Sequence, residues 1–230
     1  DLRVTRVEEV RRPGFLGSEI TVTGLTEGVV PLGMPGRFNV SNAAAAITVA
    51  ALLGVDQDAM ARALTCVQVK GRTQVLSTPG HYTLLIDYAH TAASMENLLS
   101  MLSSYPHHRL ICLFGGGGDR AKIRRYDMGE ISAKYADLTI LTMDNPRSET
   151  VEAINEDIKV GLARHDGKYV TITDRGDAIR WAIDHAQEGD IIVLAGKGHE
   201  DYQEIRGKKY PFDERVVIRE LLEEMGKTPD

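Results

Sequence analysis

The strongest constraint on the fold is a rhythm of short apolar runs, each followed by an amphipathic helical pattern, across the second half of the chain. Leu84-Leu85-Ile86 precedes helical spacing over residues 94–102, and Leu110-Ile111-Cys112-Leu113-Phe114 precedes it over 123–135. The run over 138–143 leads into 151–163, that over 169–172 into 177–186, and Ile191-Ile192-Val193-Leu194 ends the series. Runs this short that do not alternate fit strands buried on both faces, and neighbouring parallel strands need crossovers of helix length. The chain is therefore expected to be α/β, with a mostly parallel sheet covered by helices on both sides. In such sheets ligands bind beyond the carboxyl ends of the strands, which decides where chemistry is sought.

The region before Gly71 reads differently. Alternation in Leu2-Arg3-Val4-Thr5-Arg6-Val7 and Ile20-Thr21-Val22, with Pro13-Gly14 and Pro35-Gly36 as breakers, predicts short strands and turns over 1–40, the first of them an edge strand. An Ala-rich helix over 42–53 ends at Gly54, and Asp56 caps a second helix to about Leu64. The chain begins inside the edge-strand pattern, so a preceding portion is expected. No run has the length of a membrane span and no signal peptide is seen, which points to a cytoplasmic protein. A net charge of −6 argues against a nucleic-acid partner, because counterion release needs clustered Lys and Arg. Cys66 and Cys112 lack metal-ligand spacing and are expected to be buried free thiols.

Polar and Gly-rich residues stand at the strand ends: Asp87-Tyr88-Ala89-His90-Thr91, Gly115 to Arg120, Asp144-Asn145-Pro146-Arg147, and Gly196-Lys197-Gly198-His199-Glu200. Taken singly, each is accounted for by turns, helix caps and strand stops. Together they bring Arg120, Arg147, Lys197, His199 and Glu200 to one edge, and two Arg with a Glu form a recognisable chemical set. Arg binds carboxylate through a planar fork, and Glu with a free carbonyl holds an ammonium, so the set suits an amino acid. The Gly115–Gly118 run lacks both the dinucleotide and the P-loop spacing.

These motifs, with Pro35-Gly36-Arg37-Phe38-Asn39-Val40-Ser41-Asn42, Gly71-Arg72, Ser148-Glu149 and Pro211-Phe212-Asp213, resemble the Mur ligases, in order from about Pro31 onward. Within that family the closest likeness is to enzymes that add meso-diaminopimelate to UDP-N-acetylmuramoyl-L-alanyl-D-glutamate, using ATP and Mg2+ through an acyl phosphate. The resemblance implies that residues 1–68 are the end of the central ATP-binding domain and 69–230 a Rossmann-like C-terminal domain. The P-loop and the magnesium ligands would lie outside this chain, which would not turn over alone. It further implies nucleotide contacts from Asn39, Asn42, Arg72, Asp87 and His90, with Arg72, Asp87 and His90 the expected catalytic residues. Diaminopimelate would meet Arg120, Asp144, Asn145, Pro146, Arg147, Gly196 and Glu200, with no metal ligand among them. Partners would be small molecules only, with no membrane, and a monomer is expected. The chain departs from the family's usual pattern at Ala92-Ala93, Thr73-Gln74 and Ser41. Three other functions stay open: an L-lysine-adding relative, a non-catalytic amino-acid-binding module, and, on the Gly run alone, a nicotinamide-dependent dehydrogenase.

Overall fold

A computed structural model describes residues 1–12, 15–76 and 82–226; the Pro13-Gly14 breaker lies outside the described residues. The chain divides into two compact units, Asp1–Val69 and Lys70–Asp230.

In the first unit, β1 (Leu2–Arg12), β2 (Phe15–Gly24) and β3 (Gly28–Leu32) form an antiparallel sheet in that order. β1 is an edge, as its apolar–charged alternation predicts. Ile20 and Val22 of β2 and Val30 and Leu32 of β3 bury one face against Val40, Ala43 and Ile47 of α1 (Arg37–Leu52) and Met60 of α2 (Gln57–Cys66). The Asp56 side chain caps α2 by accepting the Ala59 N–H at 3.1 Å. Helix α1 starts at Arg37 rather than residue 42, because its first turn is closed locally: Asn39 donates its backbone N–H to Gly36 and its side-chain amide to the Pro35 carbonyl. Cys66, in the last turn of α2, is exposed, contrary to expectation.

The second unit is an α/β layer structure. Its sheet runs β4-β5-β9-β6-β7-β8, built from β4 (Gln74–Leu76), β5 (Thr83–Asp87), β6 (Leu110–Phe114), β7 (Leu138–Leu141), β8 (Tyr169–Thr171) and β9 (Ile191–Ala195). β4 pairs antiparallel with β5, and the other pairings are parallel. The five predicted strands are all present, and β4 is an added edge too short to announce itself by periodicity.

Strand alternation sends Leu84, Ile86, Ile111, Leu113, Ile140, Ile192 and Leu194 to one face, where α6 (Arg175–Asp184) and α7 (Glu214–Glu224) cover them. The opposite face meets α3 (Ala92–Ser103), α4 (Ile123–Tyr135) and α5 (Val151–Leu162); Ser132 of α4 and Thr139 of β7 share a 2.7 Å hydrogen bond there. Cys112 is buried in the sheet, and its thiol is pushed up to about 12 by burial, which makes it an inert core group. A hairpin, β10 (Tyr202–Ile205) and β11 (Lys208–Pro211), follows the sheet and turns through Arg206-Gly207, both at positive φ.

Strand order positions the site. The chain passes from β5 to β6 over an empty place, which β9 later returns to fill. The loops after β5, β9, β6 and β7 are therefore neighbours, although up to about a hundred residues separate them in sequence.

Candidate functional site

Asp87 ends β5 with both carboxylate oxygens engaged: Oδ2 accepts the Thr73 N–H at 2.6 Å and Oδ1 the Ala89 N–H at 2.8 Å. Burial raises its carboxyl above the ordinary range, against the pull of those two donors and Arg72. Asp87 thus holds the Arg72–Thr73 turn. The Arg72 guanidinium lies 4.9 Å over the Tyr88 ring, which His90 and His199 flank at 4.5 and 4.9 Å between centroids. His90 Nδ1 sits 2.8 Å from the Tyr88 carbonyl, an acceptor, so Nδ1 is the donor of that bond.

The glycines after β6 serve close approach between loops. A Cβ on Gly118 would fall 1.8 Å from the Pro146 carbonyl oxygen, so only glycine lets the β6 and β7 loops touch; Gly118 also donates its N–H to the Asn145 carbonyl at 2.9 Å. Arg125 of α4, 2% exposed, pins the same loop. It donates to both Glu149 oxygens at 2.8 and 2.6 Å, to Asp157 at 2.8 Å and to the Gly117 carbonyl at 3.1 Å. Glu149 also accepts the Asp119 N–H at 2.7 Å.

The Arg125 fork holds the Glu149 carboxyl down at about 2, against an ordinary 4.5. A carboxyl with a depressed folded value stabilises the fold above its unfolded value and loses that contribution as the pH falls toward the folded one. Thermal melts should therefore show Tm falling between about pH 4.5 and pH 2 more steeply for the natural protein than for Glu149→Gln. Parallel acid limbs would remove Glu149 from this role.

After β7 and β9 the acidic residues converge. Asp144 and Asn145 are buried, and Lys197 is fully enclosed between them and Glu200. Gly196 has φ 111°, and a Cβ there would come within 2.8 Å of Asp144 Oδ2. Arg147, itself at φ 51°, donates through Nε to Glu204 of β10 at 3.1 Å and through Nη1 to the Gly118 carbonyl at 2.7 Å.

Between these loops lies a cavity of about 260 Å³. That is near the low end of small-molecule sites, roughly 300–1,000 Å³, and fits a compact polar ligand. Arg120, Asp144, Asn145, Arg147, Gly196 and Glu200 all line it, as does His90. Pro146 does not, and its carbonyl instead abuts Gly118. Arg72 and Asp87 stand outside the cavity wall, while Asn39 and Asn42 belong to α1 of the first unit. Tyr88, Arg124, Arg125 and Met128 are lining residues that motif reasoning missed, and Lys197 backs the acidic wall. One wall thus presents carboxylates and the other guanidinium groups. Among the described residues Arg120 has no acidic partner, and no group of three or more His, Cys, Asp or Glu is arranged to hold a metal ion. No described helix is long and apolar enough to cross a membrane.

The architecture and this strand-end site define a Rossmann-like α/β domain with a polar ligand pocket, and comparison with known proteins places it in a family. Residues 71–198 match the family model described as Mur ligase, glutamate ligase domain, and the chain belongs to that family. It is 48% identical over 198 residues to the UDP-N-acetylmuramoyl-L-alanyl-D-glutamate–2,6-diaminopimelate ligase of Caldanaerobacter subterraneus subsp. tengcongensis, a match covering 86% of this chain and 41% of that protein. The Aquifex aeolicus protein of the same name is 46% identical over 187 residues, covering 81% of this chain and 38% of its own length. A solved structure of a ligase with this name superposes with a TM-score of 0.78 at 33% identity, covering 99% of this chain and 46% of that one. The chain spans about two fifths of the length of the curated relatives it matches.

Proposed function

We propose that these residues supply the amino-acid-delivering part of an ATP-dependent, ADP-forming ligase that adds meso-diaminopimelate to UDP-N-acetylmuramoyl-L-alanyl-D-glutamate in cytoplasmic peptidoglycan precursor synthesis. The observation that carries this is the cavity, with Arg120 and Arg147 on one side and Asp144, Glu200 and the Gly196 backbone on the other. A diamino dicarboxylic acid needs both kinds of wall. The likeness to relatives bearing that enzyme's name supports the choice of substrate. On this assignment residues 1–68 are the end of the central ATP-binding domain and 69–230 the C-terminal domain.

In the proposed reaction, the D-Glu carboxylate takes a phosphoryl group from ATP, and the amine attacks the resulting acyl phosphate through a tetrahedral intermediate that expels phosphate. This chain's residues contribute by holding and orienting the amine, which converts a bimolecular encounter into a positioned one. The guanidinium groups of Arg120 and Arg147 take carboxylate; Glu200 and Asp144 take ammonium. Arg72 and His90 are assigned to nucleotide contacts in the second unit, with Asp87 acting through the turn it holds, and Asn39 and Asn42 to nucleotide contacts in the first. The Mg2+ that this chemistry would use has no group of three or more His, Cys, Asp or Glu to hold it among the described residues.

Joined to a P-loop-bearing segment, the chain should support phosphate release only when both the nucleotide precursor and meso-diaminopimelate are present. Equal turnover with L-lysine would reject the substrate assignment. Amino-acid binding with no phosphate release would favour a binding module.

A further inference from the structure

Lys197 is a cation where cations are seldom found, with no exposed surface, on the loop after β9. Its Nζ lies 3.5 Å from Asp144 Oδ1, 3.3 Å from Asn145 Oδ1 and 3.2 Å from Glu200 Oε2, three groups from two different loops. Asn145 completes the set by donating its Nδ2 to the same Glu200 oxygen at 3.0 Å and accepting the Glu204 N–H at 2.9 Å. Lys197 therefore engages one oxygen of each acid. Asp144 Oδ2 remains beside Gly196 and Glu200 Oε1 remains without a hydrogen-bond partner among the described residues, on residues that line the cavity.

Charge counting gives this cluster a function. Two carboxylates and one ammonium leave a net charge of −1 on the acidic wall, which one incoming ammonium neutralises. Without Lys197 the wall would carry two adjacent like charges, an arrangement relieved by taking up a proton. We propose that Lys197 is a positioning residue for the amino-acid substrate: it locks Asp144, Asn145 and Glu200 in receiving geometry and keeps both acids ionised, so that an ammonium binds without displacing a proton. This rests on the amino-acid reading of the cavity. The other groups facing Lys197 are the Tyr202 ring, 5.7 Å from Nζ, and the buried Glu214, which is paired with Arg175; Tyr88 faces Asp144 and Glu200 from the loop after β5. Glu214 is already matched by its own guanidinium, which leaves Asp144 and Glu200 as the acids that need Lys197.

The test is the Lys197→Met protein, with Lys197→Gln as a second variant that retains a donor and tolerates burial, both joined to a P-loop-bearing segment. The KM for meso-diaminopimelate is expected to rise about tenfold to a hundredfold at neutral pH, the factor for losing charge-assisted contacts. The KM values for ATP and the nucleotide precursor should hold. The variant's KM for the amine should also fall as pH rises, because the added proton is then lost, whereas the natural protein should lack that dependence between pH 6 and pH 8, about the range in which no ordinary carboxylate titrates. An unchanged KM, or a general loss of kcat with no new pH dependence, overturns the proposal.

Should neither variant fold, calorimetry on the natural chain decides. Binding of meso-diaminopimelate at neutral pH in two buffers of different ionisation enthalpy should give equal heats, and release of about one proton per ligand would show that the acids are not held ionised. If the natural chain does not bind the amino acid at all, the reading of the cavity fails and this proposal fails with it. If it binds while Lys197→Met binds equally at every pH, the role of Lys197 alone is overturned.

Discussion

Replacing Arg175 with Met should lower the stability of the second unit by about 3–5 kcal/mol, the cost of stranding a buried charge by removing its partner. Arg175 and Glu214 form a fully enclosed ion pair, with Nε and Nη2 both reaching Glu214 Oε1, the latter at 2.8 Å. The guanidinium also donates to the Met143 carbonyl at 3.1 Å and the Ala195 carbonyl at 2.9 Å, the residues just before Asp144 and Gly196. Truncation therefore removes an ion-pair partner and unties the two loops that form the acidic wall. Burial already raises the Glu214 carboxyl, with Arg175 opposing, and its Oε2 has no hydrogen-bond partner among the described residues.

Without Arg175 the carboxyl rises further, so the folded state binds more protons than the unfolded one. Stability should then fall as pH climbs from about 4.5 toward that raised value, and the deficit should be smallest in acid. Urea titrations from pH 4 to pH 8, a window of roughly ordinary carboxylate values and above, measure this directly. The double variant Arg175→Met/Glu214→Leu should recover much of the loss, since a well-packed apolar pair can match a buried salt bridge. A single variant as stable as the natural chain at pH 8 would mean that the pair is energetically idle.

The same pair shows where sequence reading stops. The strands of the parallel sheet are legible because buried strands must be apolar throughout, and the strand-end rule then singles out the loops around the cavity. Sheet order is not legible: nothing in Ile191-Ile192-Val193-Leu194 says that β9 inserts between β5 and β6, yet that insertion makes the Asp144 and Glu200 loops neighbours. Burial of Lys197, Arg125 and Arg175 is equally hidden, since such residues are exposed by default and only tertiary partners reverse this. The β10–β11 hairpin turns on Arg206-Gly207 rather than Asn-Gly, which conceals it, and with it Glu204, the partner of Arg147. Helix α7 was readable, for Asp213 caps it and Ile218, Leu221 and Leu222 repeat at helical spacing, but it falls after the strand-helix series has ended.

Arg147→Lys should cost about tenfold to a hundredfold in affinity for meso-diaminopimelate while leaving L-lysine binding nearly unchanged. Arg147 is held by its own loop: its N–H goes to the Glu204 carbonyl at 3.0 Å, and its side chain reaches Glu204 and the Gly118 carbonyl. Those bonds use Nε and Nη1, and among the described residues no acceptor meets Nη2 on the wall of the cavity. A lysine ammonium cannot reproduce the fork: occupying the positions of Nε and Nη1 leaves nothing for a ligand carboxylate, and turning to the carboxylate abandons Glu204.

One charge-assisted contact contributes about 1.5–3 kcal/mol, which at about 1.4 kcal/mol per decade gives the stated range. L-Lysine lacks the distal carboxylate, so in the natural protein it leaves Arg147 Nη2 without an acceptor and should bind about a hundredfold more weakly. Titration calorimetry of both ligands against both proteins closes a cycle. The ratio of the two affinities should shrink in Arg147→Lys through loss of the diaminopimelate arm alone. Equal losses in both arms would show that Arg147 supports the fold of the loop without reading the carboxylate, and would move the specificity to Arg120, which has no acidic partner among the described residues.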